Sequence, residues 1–284
     1  MKTTVKSYHY ESVDSTMSVA KILAACGEVS EPLTISEVDM NCSQLSDLVV
    51  ITADEQISGR GRFQRRWYSE NGAGLYVTYQ FSIPVGFSKL DGFSLAVGVA
   101  VKRAISKFAV QIKLKWPNDV VVFNEQNELC KLAGILIELV SAGDDGDDNE
   151  KLYVNAGVGI NLKQTSYPEK LMHKAISLEE LSASRGNGIL KESLLQELSA
   201  EFWKVCDEYF MNGFSAGLKA EWEENNACAG MKIKVSPAAA SDVLQERSGT
   251  MVGVDNDGSL LLRDEQAGET ARISIGDVSL YVLY

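Results

Sequence analysis

The sequence predicts an α+β protein in which a body of mixed strands and helices precedes a small β-barrel. Three observations support this prediction. Apolar, β-branched runs alternate with segments of helical periodicity over residues 1–229. Residues 231–284 hold only short strands and turns. With 284 residues and 45% hydrophobic content, the chain is long enough to bury one large core beside a smaller one.

Composition and charge exclude several functional classes. The chain carries 27 basic and 39 acidic residues and a net charge of −12, whereas a general nucleic-acid binder needs a basic face to displace counterions. Its five cysteines are odd in number and lack a C-x-x-C spacing, which disfavours a disulfide framework and a zinc site. The sequence contains neither a long apolar run nor a signal-peptide core, so we expect a cytosolic protein without membrane contact.

A polar cluster predicts the start of the first helix. Asp14-Ser15-Thr16 offers capping oxygens ahead of the apolar segment Met17 to Ala25, and Gly27 is a suitable stop. Taken alone, the hydroxyls of this cluster serve only the backbone donors at the helix start.

The densest positive charge lies between two predicted strands, Leu48 to Ala53 and Leu75 to Tyr79. We call the connecting segment Gly59-Arg60-Gly61-Arg62-Phe63-Gln64-Arg65-Arg66-Trp67 the arginine loop. Four arginines in an acidic protein indicate an anion site, and the glycines allow a ligand to approach the backbone closely. The alternative is a solvated basic loop that pairs with nearby acidic residues.

The centre of the chain predicts one helix and four strands. Apolar residues recur at helical spacing from Phe93 to Phe108. Alternating or apolar segments predict strands at 110–116, 120–123, 129–139 and 152–162, with Pro117 and a turn at Asn118-Asp119 after the first. Residues 144–150 hold five acids but lack the ligand spacing of a calcium loop, which favours a solvated hairpin tip.

Lys131 and Gly134 are conspicuous in the strand 129–139. A glycine inside a strand suggests that a ligand or another backbone comes close. A lysine among apolar residues either extends its ammonium group to water or pairs it with an anion, and the residues alone favour the first.

The last part of the chain predicts two packing helices and then strands. The helices are expected over Ile189 to Phe210 and Phe214 to Asn226. A hairpin turn at 254–258 and a final strand at 278–284 belong to the small β-barrel.

The sequence lacks the motifs of several common active sites. Only His9 and His173 are present, neither near a serine elbow or a suitable cysteine, so a nucleophilic triad is disfavoured. There is no G-x-x-x-x-G-K-[ST] motif for phosphates. What remains is the arginine loop, two lysines on strand ends and the turn at Asn118-Asp119. Together these features suit the binding and activation of an anion.

Four motifs in order give the chain a specific resemblance. They are Gly59-Arg60-Gly61-Arg62 with Arg65 and Trp67; Lys115-Trp116-Pro117-Asn118-Asp119; Lys131-Leu132-Ala133-Gly134-Ile135-Leu136-Ile137-Glu138; and Gly157-Val158-Gly159-Ile160-Asn161. Asp14-Ser15-Thr16 and Gly276-Asp277-Val278-Ser279-Leu280 extend the likeness over nearly the whole chain. The chain resembles the biotin protein ligases (holocarboxylase synthetases) of the biotin/lipoate ligase superfamily.

The resemblance implies a fold and a division of the chain. We expect a mixed-sheet catalytic domain over residues 1–229 and an SH3-like barrel over residues 230–284. This division leaves no residues for the DNA-binding helix-turn-helix of repressor-type members. We therefore expect a ligase that does not bind nucleic acid.

The resemblance also implies an activity. Such an enzyme forms biotinyl-5'-AMP from biotin and MgATP and passes biotin to a lysine of the biotin-acceptor domain of a biotin-dependent carboxylase. Because both reactants of the first step are anions, cations must offset their repulsion. Residues 58–66 are expected to close over the adenylate, since water would hydrolyse it.

Site residues carry over from the motifs to this chain. Ser15, Thr16 and Gln56 match positions that bind the ureido ring of biotin, and Gly134, Gly157 and Gly159 leave space for the ligand. The implied catalytic residues are Lys131, Arg62, Lys115 and Asp119, with magnesium carried by ATP near Asp119. Further binding positions are Gly59, Arg60, Gly61, Arg65, Trp67, Asn118 and Asn161, of which Trp67 and Asn118 match positions near adenine.

Three residues depart from the family pattern. Gln64 stands where glycine is usual, Met17 follows Ser-Thr where asparagine is common, and Tyr281 stands where arginine is common. Two other functions remain open, a lipoate or octanoate ligase and a non-catalytic biotin-binding protein. The arginine loop and Gln56 favour biotin over lipoate.

Overall fold

The computed structural model describes residues 2–27, 34–43, 45–84, 90–108, 111–141, 151–163, 167–168, 174–182, 190–214, 217–236, 246–264 and 268–280. The acidic tip expected at 144–150 and the departure at Tyr281 lie outside these residues.

The body of the protein is built on one mixed sheet. Its strands are β1 (Lys2–Val13), β2 (Thr34–Asp39), β3 (Ser46–Gln56), β4 (Gly74–Ile83), β5 (Lys113–Lys115), β6 (Asp119–Phe123), β7 (Leu129–Ser141) and β8 (Leu152–Asn161). They lie in the order β2-β1-β3-β4-β8-β7-β6-β5. β1 and β3 run parallel, and the other neighbours run antiparallel. The predicted mixed sheet is therefore confirmed.

Helices cover both faces of this sheet. They are α1 (Thr16–Cys26), α2 (Phe93–Ile105), α3 (Leu178–Ser182), α4 (Lys191–Asn212) and α5 (Gly217–Glu224). Successive side chains of a strand point to opposite faces. Accordingly, Ile51 of β3 packs with Ala20 of α1, whereas Val50 belongs to the large core that contains the apolar faces of α2 and α4.

Strand β4 shows how the two faces differ. On one face, Tyr79 stacks on Phe202 of α4 with ring centroids 4.0 Å apart, and both rings are fully buried. On the other face, Gln80 donates a hydrogen bond to the carbonyl oxygen of Ala20 in α1. The α4 face is therefore a packed aromatic core, and the α1 face carries polar groups.

A second sheet of five antiparallel strands follows the body. It comprises β9 (Lys232–Ser236), β10 (Arg247–Val254), β11 (Leu260–Arg263), β12 (Thr270–Ile273) and β13 (Asp277–Leu280), in the order β12-β11-β10-β9-β13. The predicted hairpin turn joins β10 to β11, where Asp255 N donates to Ser259 O. Trp116 Nε1 of the body donates to Gly258 O of this turn over 2.9 Å, which ties the second sheet to the first.

The structure corrects two predicted elements. Within the described residues 111–116, the strand expected at 110–116 is limited to β5, because Gln111 has a positive φ of 67° that interrupts an extended backbone. Asp119 was expected in a turn, but it begins β6 and pairs with Gly134 of β7. Strands β1 and β2 were not predicted at all.

None of the helices in the described part of the chain has the length and apolar character needed to cross a membrane.

Candidate active site

A cavity of about 1140 Å³ opens on the α1 face of the mixed sheet. Every site residue expected from the sequence lines it except Gly59. The expected residues that do so are Ser15, Thr16, Gln56, Arg60, Gly61, Arg62, Arg65, Trp67, Lys115, Asn118, Asp119, Lys131, Gly134, Gly157, Gly159 and Asn161. Motifs far apart in the sequence therefore meet at one place, while the role of each residue stays a prediction.

Strand register explains how the middle of the cavity is built. Asp119 of β6 pairs with Gly134 of β7, which pairs with Gly159 of β8, which pairs with Tyr76 of β4. A Cβ atom on Gly159 would lie 2.6 Å from Trp67 Cε2, and one on Gly134 would lie 2.8 Å from Trp67 Cζ3. The two glycines therefore form a shallow slot in which the indole of Trp67 rests.

Asp119 is the anionic centre of a small charge cluster. Its Oδ1 lies 2.5 Å from Lys131 Nζ, and its Oδ2 lies 3.6 Å from Lys115 Nζ. Burial alone would raise the pKa of Asp119, but the two ammonium groups outweigh burial and hold it below its usual value. The ion pairs therefore contribute fully to stability above the ordinary aspartate pKa and lose that contribution as the pH falls through the lowered value.

Lys131 therefore does not extend its ammonium group to water, as the residues alone had favoured. It pairs with Asp119 and lies 5.2 Å from the centroid of the Trp67 ring. The prediction failed because the partner carboxylate comes from a neighbouring strand, which the local sequence of β7 does not reveal. Lys131 remains a partly exposed cation on the cavity wall.

The arginine loop is a compact turn between β3 and β4. Arg60 and Arg66 form an isolated antiparallel bridge, and residues Arg62–Gln64 form a short 3-10 turn. Phe63 and Gln64 have φ values of 55° and 57°, a left-handed conformation that favours glycine. The left-handed geometry would suit glycine at position 64, and the β-carbon of Gln64 adds strain there.

Two loop arginines bind an acid of the C-terminal sheet. Arg62 Nη1 donates to Gly276 O over 3.1 Å and lies 3.3 Å from Asp277 Oδ1. The guanidinium group of Arg65 pairs with the other carboxylate oxygen of Asp277. Burial lowers the pKa of Arg62, which lies in the field of Asp119 and beside Arg65. The loop is therefore held between the body and the second sheet.

Arg60 occupies a different side of the cavity. Its Nη2 lies 3.7 Å from Glu138 Oε2, whose main partner is Lys21 Nζ at 3.0 Å. Within the described part of the chain, the buried Nε and Nη2 atoms of Arg60 and the buried Nε1 of Trp67 have no hydrogen-bond partner. Because buried donors are nearly always satisfied, these N–H groups suit acceptors on a ligand.

The α1 end of the cavity is polar and deeply buried. Ser15 caps α1 by accepting a hydrogen bond from Met17 N over 3.3 Å, as predicted. Gln56 Oε1 accepts from Thr16 N over 3.0 Å and from Thr16 Oγ1 over 3.2 Å. Met17 packs against β8, where a Cβ atom on Gly157 would lie 2.8 Å from its sulfur.

Two asparagines on the wall hold backbone segments in place. Asn118 Nδ2 donates to Ile135 O over 2.7 Å. Asn161 Nδ2 donates to Ile176 O over 3.1 Å and to Lys131 O over 3.3 Å. These contacts fix the strand that carries Lys131.

Sequence reasoning missed several parts of the wall. Tyr76 was treated only as a strand residue, and Asp277 was quoted in a motif without a role. The sequence around both residues gave little sign of a role in the site, because each lies in an ordinary β-strand. Strand register turns Tyr76 to the cavity, and packing of the second sheet brings Asp277 to it. Other unassigned lining residues are Tyr68, Tyr167, Lys174 and Leu280.

The residues present offer little to a metal ion by themselves. Over the described ranges, no group of three or more His, Cys, Asp or Glu side chains is arranged to hold one. The nearest carboxylate, Asp119, is already paired with two lysines. Magnesium usually binds through one or two carboxylates together with substrate phosphates, so these residues fit an ion brought in by a nucleotide.

Comparison with known proteins adds independent information. The model of the biotin/lipoate A/B protein ligase family matches residues 26–161. The bifunctional ligase/repressor BirA of Escherichia coli K12 is 30% identical over 230 residues, which are 80% of this chain and 65% of that protein. The chain thus spans less than two thirds of that relative's length. The biotin-[acetyl-CoA-carboxylase] ligase of Mycobacterium tuberculosis is 29% identical over 82% of this chain and 79% of that protein.

A solved structure matches almost end to end. The biotin protein ligase from Aquifex aeolicus in complex with biotin and ATP has a TM-score of 0.70 and 26% identity, covering 97% of this chain and 98% of that chain. The likeness includes the second sheet as well as the mixed sheet.

Proposed function

We propose that the chain is an ATP-dependent biotin protein ligase, since residues 26–161 match the biotin/lipoate A/B protein ligase family and a biotin protein ligase of known structure matches nearly the whole chain. A carboxylate oxygen of biotin attacks the α-phosphorus of ATP, and the bond to the β-phosphate breaks with release of pyrophosphate. The deprotonated amine of an acceptor lysine then attacks the acyl carbon of biotinyl-5'-AMP, and AMP leaves as the amide forms.

One observation carries this proposal, namely that buried hydrogen-bonding groups and convergent cations line the same cavity. Ser15, Thr16 and Gln56 are at most 9% exposed. Arg62 and Lys131 line the same cavity, and both lie near Asp119. This arrangement fits a ligand with a polar head, an apolar chain and a reacting anionic end.

The cations supply the chemistry of the first step. Lys131 is proposed to stabilise charge on the carboxylate and the developing acyl phosphate, and Arg62 to contact the α-phosphate. Asp119 positions the ammonium of Lys131, and Lys115 and Asp119 are proposed to lie beside the phosphates. Magnesium would enter with ATP and neutralise phosphate charge, as the donor set near Asp119 allows.

The indole of Trp67 supports a nucleotide site. It rests on the Gly134–Gly159 slot and presents Nε1 without a described partner. An aromatic face suits an adenine ring, because stacking on a base is favourable and tolerant of geometry. Asn118 and Asn161 are proposed to support this wall rather than to carry charge.

Several finer expectations are part of the same proposal. The acceptor is proposed to be the biotin-acceptor domain of a biotin-dependent carboxylase, and the location the cytosol. The chain is proposed to divide at residues 229 and 230, with the five antiparallel C-terminal strands forming an SH3-like barrel. The contacts of Asp277 with the arginine loop support a role for this second unit in the reaction.

We further propose that residues 58–66 cover the adenylate and exclude water. Trypsin should then cut after Arg60, Arg62, Arg65 or Arg66 several-fold more slowly when biotin and ATP are bound. Asp277→Ala removes the acceptor shared by Arg62 and Arg65 and should speed cutting. Asp255→Ala is the matched control, because Asp255 pairs with Arg272 within the second sheet. Equal cutting with and without ligands would contradict the covering role.

A biotin-dependent exchange of labelled pyrophosphate into ATP tests the proposed function. The expected result is exchange with biotin and not with lipoate or octanoate, since their chains lack a ureido head. Exchange with lipoate alone would support the lipoate ligase, and biotin binding without exchange would support a non-catalytic protein. Transfer of biotin to a purified acceptor domain then tests the second step.

A further inference from the structure

We propose that Thr78 and Ser69, which do not line the cavity, are positioning residues that fix the side-chain amide of Gln56 for recognition of the ureido head. This inference rests on the proposed function, because it specifies how the head of biotin is selected. Thr78 lies on β4 and is completely buried, and Ser69 follows the arginine loop and is 8% exposed.

The orientation of the Gln56 amide is set by a backbone donor. Thr16 N faces one end of the amide at 3.0 Å. A backbone N–H only donates, so the atom that it faces must be the oxygen. Nε2 therefore lies at the other end, where it donates to Ser69 Oγ over 3.0 Å.

Thr78 controls the threonine at the oxygen end. Its hydroxyl donates to Thr16 Oγ1 over 2.8 Å, and Thr16 Oγ1 donates in turn to Gln56 Oε1 over 3.2 Å. Because Thr16 Oγ1 accepts from Thr78, its own proton is directed to Gln56. The hydroxyl of Thr78 thus orders two hydrogen bonds in a row.

Ser69 controls the nitrogen end. Its hydroxyl oxygen accepts a hydrogen bond from Gln56 Nε2. The same hydroxyl donates a long hydrogen bond to Trp67 O over 3.5 Å. A Cβ atom on Gly59 would lie 2.7 Å from Ser69 Oγ and 3.1 Å from Gln56 Nε2. Gly59, the predicted site residue that does not line the cavity, therefore leaves room for this hydrogen bond.

The ordered chain leaves a defined set of groups for a ligand. Gln56 keeps one N–H, Ser15 keeps its hydroxyl proton, and Thr16 Oγ1 keeps one lone pair, all without a partner in the described part of the chain. Two donors and an acceptor complement a ureido group, which has one carbonyl oxygen and N–H donors. If the amide rotated, a donor would face a donor and the match would be lost.

The test compares variants that remove or keep the two hydroxyls. Thr78→Val and Ser69→Ala should each raise the Kd for biotin about tenfold, which is the loss expected for one hydrogen bond to a buried polar group. The KM for ATP and the kcat at saturating biotin should stay within about twofold of wild type, because neither variant removes a contact to ATP or to the reacting groups. One lost contact would change these values about tenfold. Thr78→Ser keeps the hydroxyl and should bind biotin nearly as tightly as wild type.

A control variant separates positioning from packing. Thr52→Val removes another buried hydroxyl, on the neighbouring strand β3, that contacts Tyr8 O and His9 Nδ1. It should leave the Kd for biotin unchanged. If Thr78→Val does not fold, Ser69→Ala decides the question alone.

The outcomes are distinct. Unchanged biotin affinity in Ser69→Ala and Thr78→Val would overturn the inference, and so would equal losses for biotin and ATP, because these indicate a packing role. Failure of the wild-type protein to bind biotin would overturn the proposed function itself. Wild-type binding with selective, serine-rescued loss in the variants supports both.

Discussion

Replacing Lys131 by alanine is expected to slow biotin-dependent pyrophosphate exchange by at least about 100-fold, the usual effect of removing a group aimed at transition-state charge. The reason is the position of Nζ, which lies on the cavity wall beside Asp119 and near the ring of Trp67. Two anions must meet at this point, and the variant removes the cation that offsets their repulsion. Lys107→Ala, which removes an exposed lysine paired with Glu197, should keep the wild-type rate.

A second variant separates catalysis from stability. Lys131→Ala leaves the partly buried carboxylate of Asp119 with Lys115 at 3.6 Å as its remaining cation, and the loss of one partner from such a cluster is destabilising. Adding Asp119→Asn removes the carboxylate that has lost its nearer cation and should recover part of the thermal stability. Recovery of the exchange rate as well would contradict the role of Lys131, because it would mean that Lys131 serves only to neutralise Asp119.

Alanine at Gly159 is expected to raise the KM for ATP about tenfold or more with a smaller effect on biotin, because overpacking costs about 1–3 kcal/mol. A Cβ atom there would lie 2.6 Å from the indole of Trp67 and would push the ring off its slot. Since Trp67 is proposed to stack on adenine, the nucleotide should suffer most.

The neighbouring glycine on the same face of β8 offers a matched comparison. A Cβ atom on Gly157 would meet the sulfur of Met17 at 2.8 Å, next to the polar end of the cavity. Gly157→Ala should therefore raise the KM for biotin more than the KM for ATP. Gly98→Ala is a neutral control, since its nearest neighbour to a new Cβ lies 3.6 Å away. Equal effects of both β8 variants on both substrates would contradict the assignment of the Trp67 slot to the nucleotide and of the polar end beside Met17 to biotin.

The sequence predicted most of the body because its elements carry strong local signals. Ser15 and Gly27 mark both ends of α1, and the apolar runs of β3, β4 and β8 are bounded by glycines or turns. Strand β1 was missed because only Val5 and Tyr8 are buried among otherwise polar or partly exposed positions. Its partner β2 is a largely exposed edge strand whose period-two signal is correspondingly weak.

The site was predictable as a set of residues but not as a set of contacts. The family resemblance implied that Arg62, Asp119 and Lys131 share one site, yet it did not reveal their partners, which come from other strands. The Asp277 carboxylate that binds Arg62 lies 215 residues away in the sequence, and local periodicity carries no information on such pairs. The slot beneath Trp67 likewise depends on the register that sets Gly134 opposite Gly159.

A crystal structure of the protein with biotin and a non-hydrolysable ATP analogue tests the central claim most directly. We expect the ureido group within hydrogen-bond distance of Ser15, Thr16 and Gln56, and the carboxylate and α-phosphate between Lys131 and Arg62. Ligands bound in separate cavities, or with both cations turned away from the reacting groups, would contradict it.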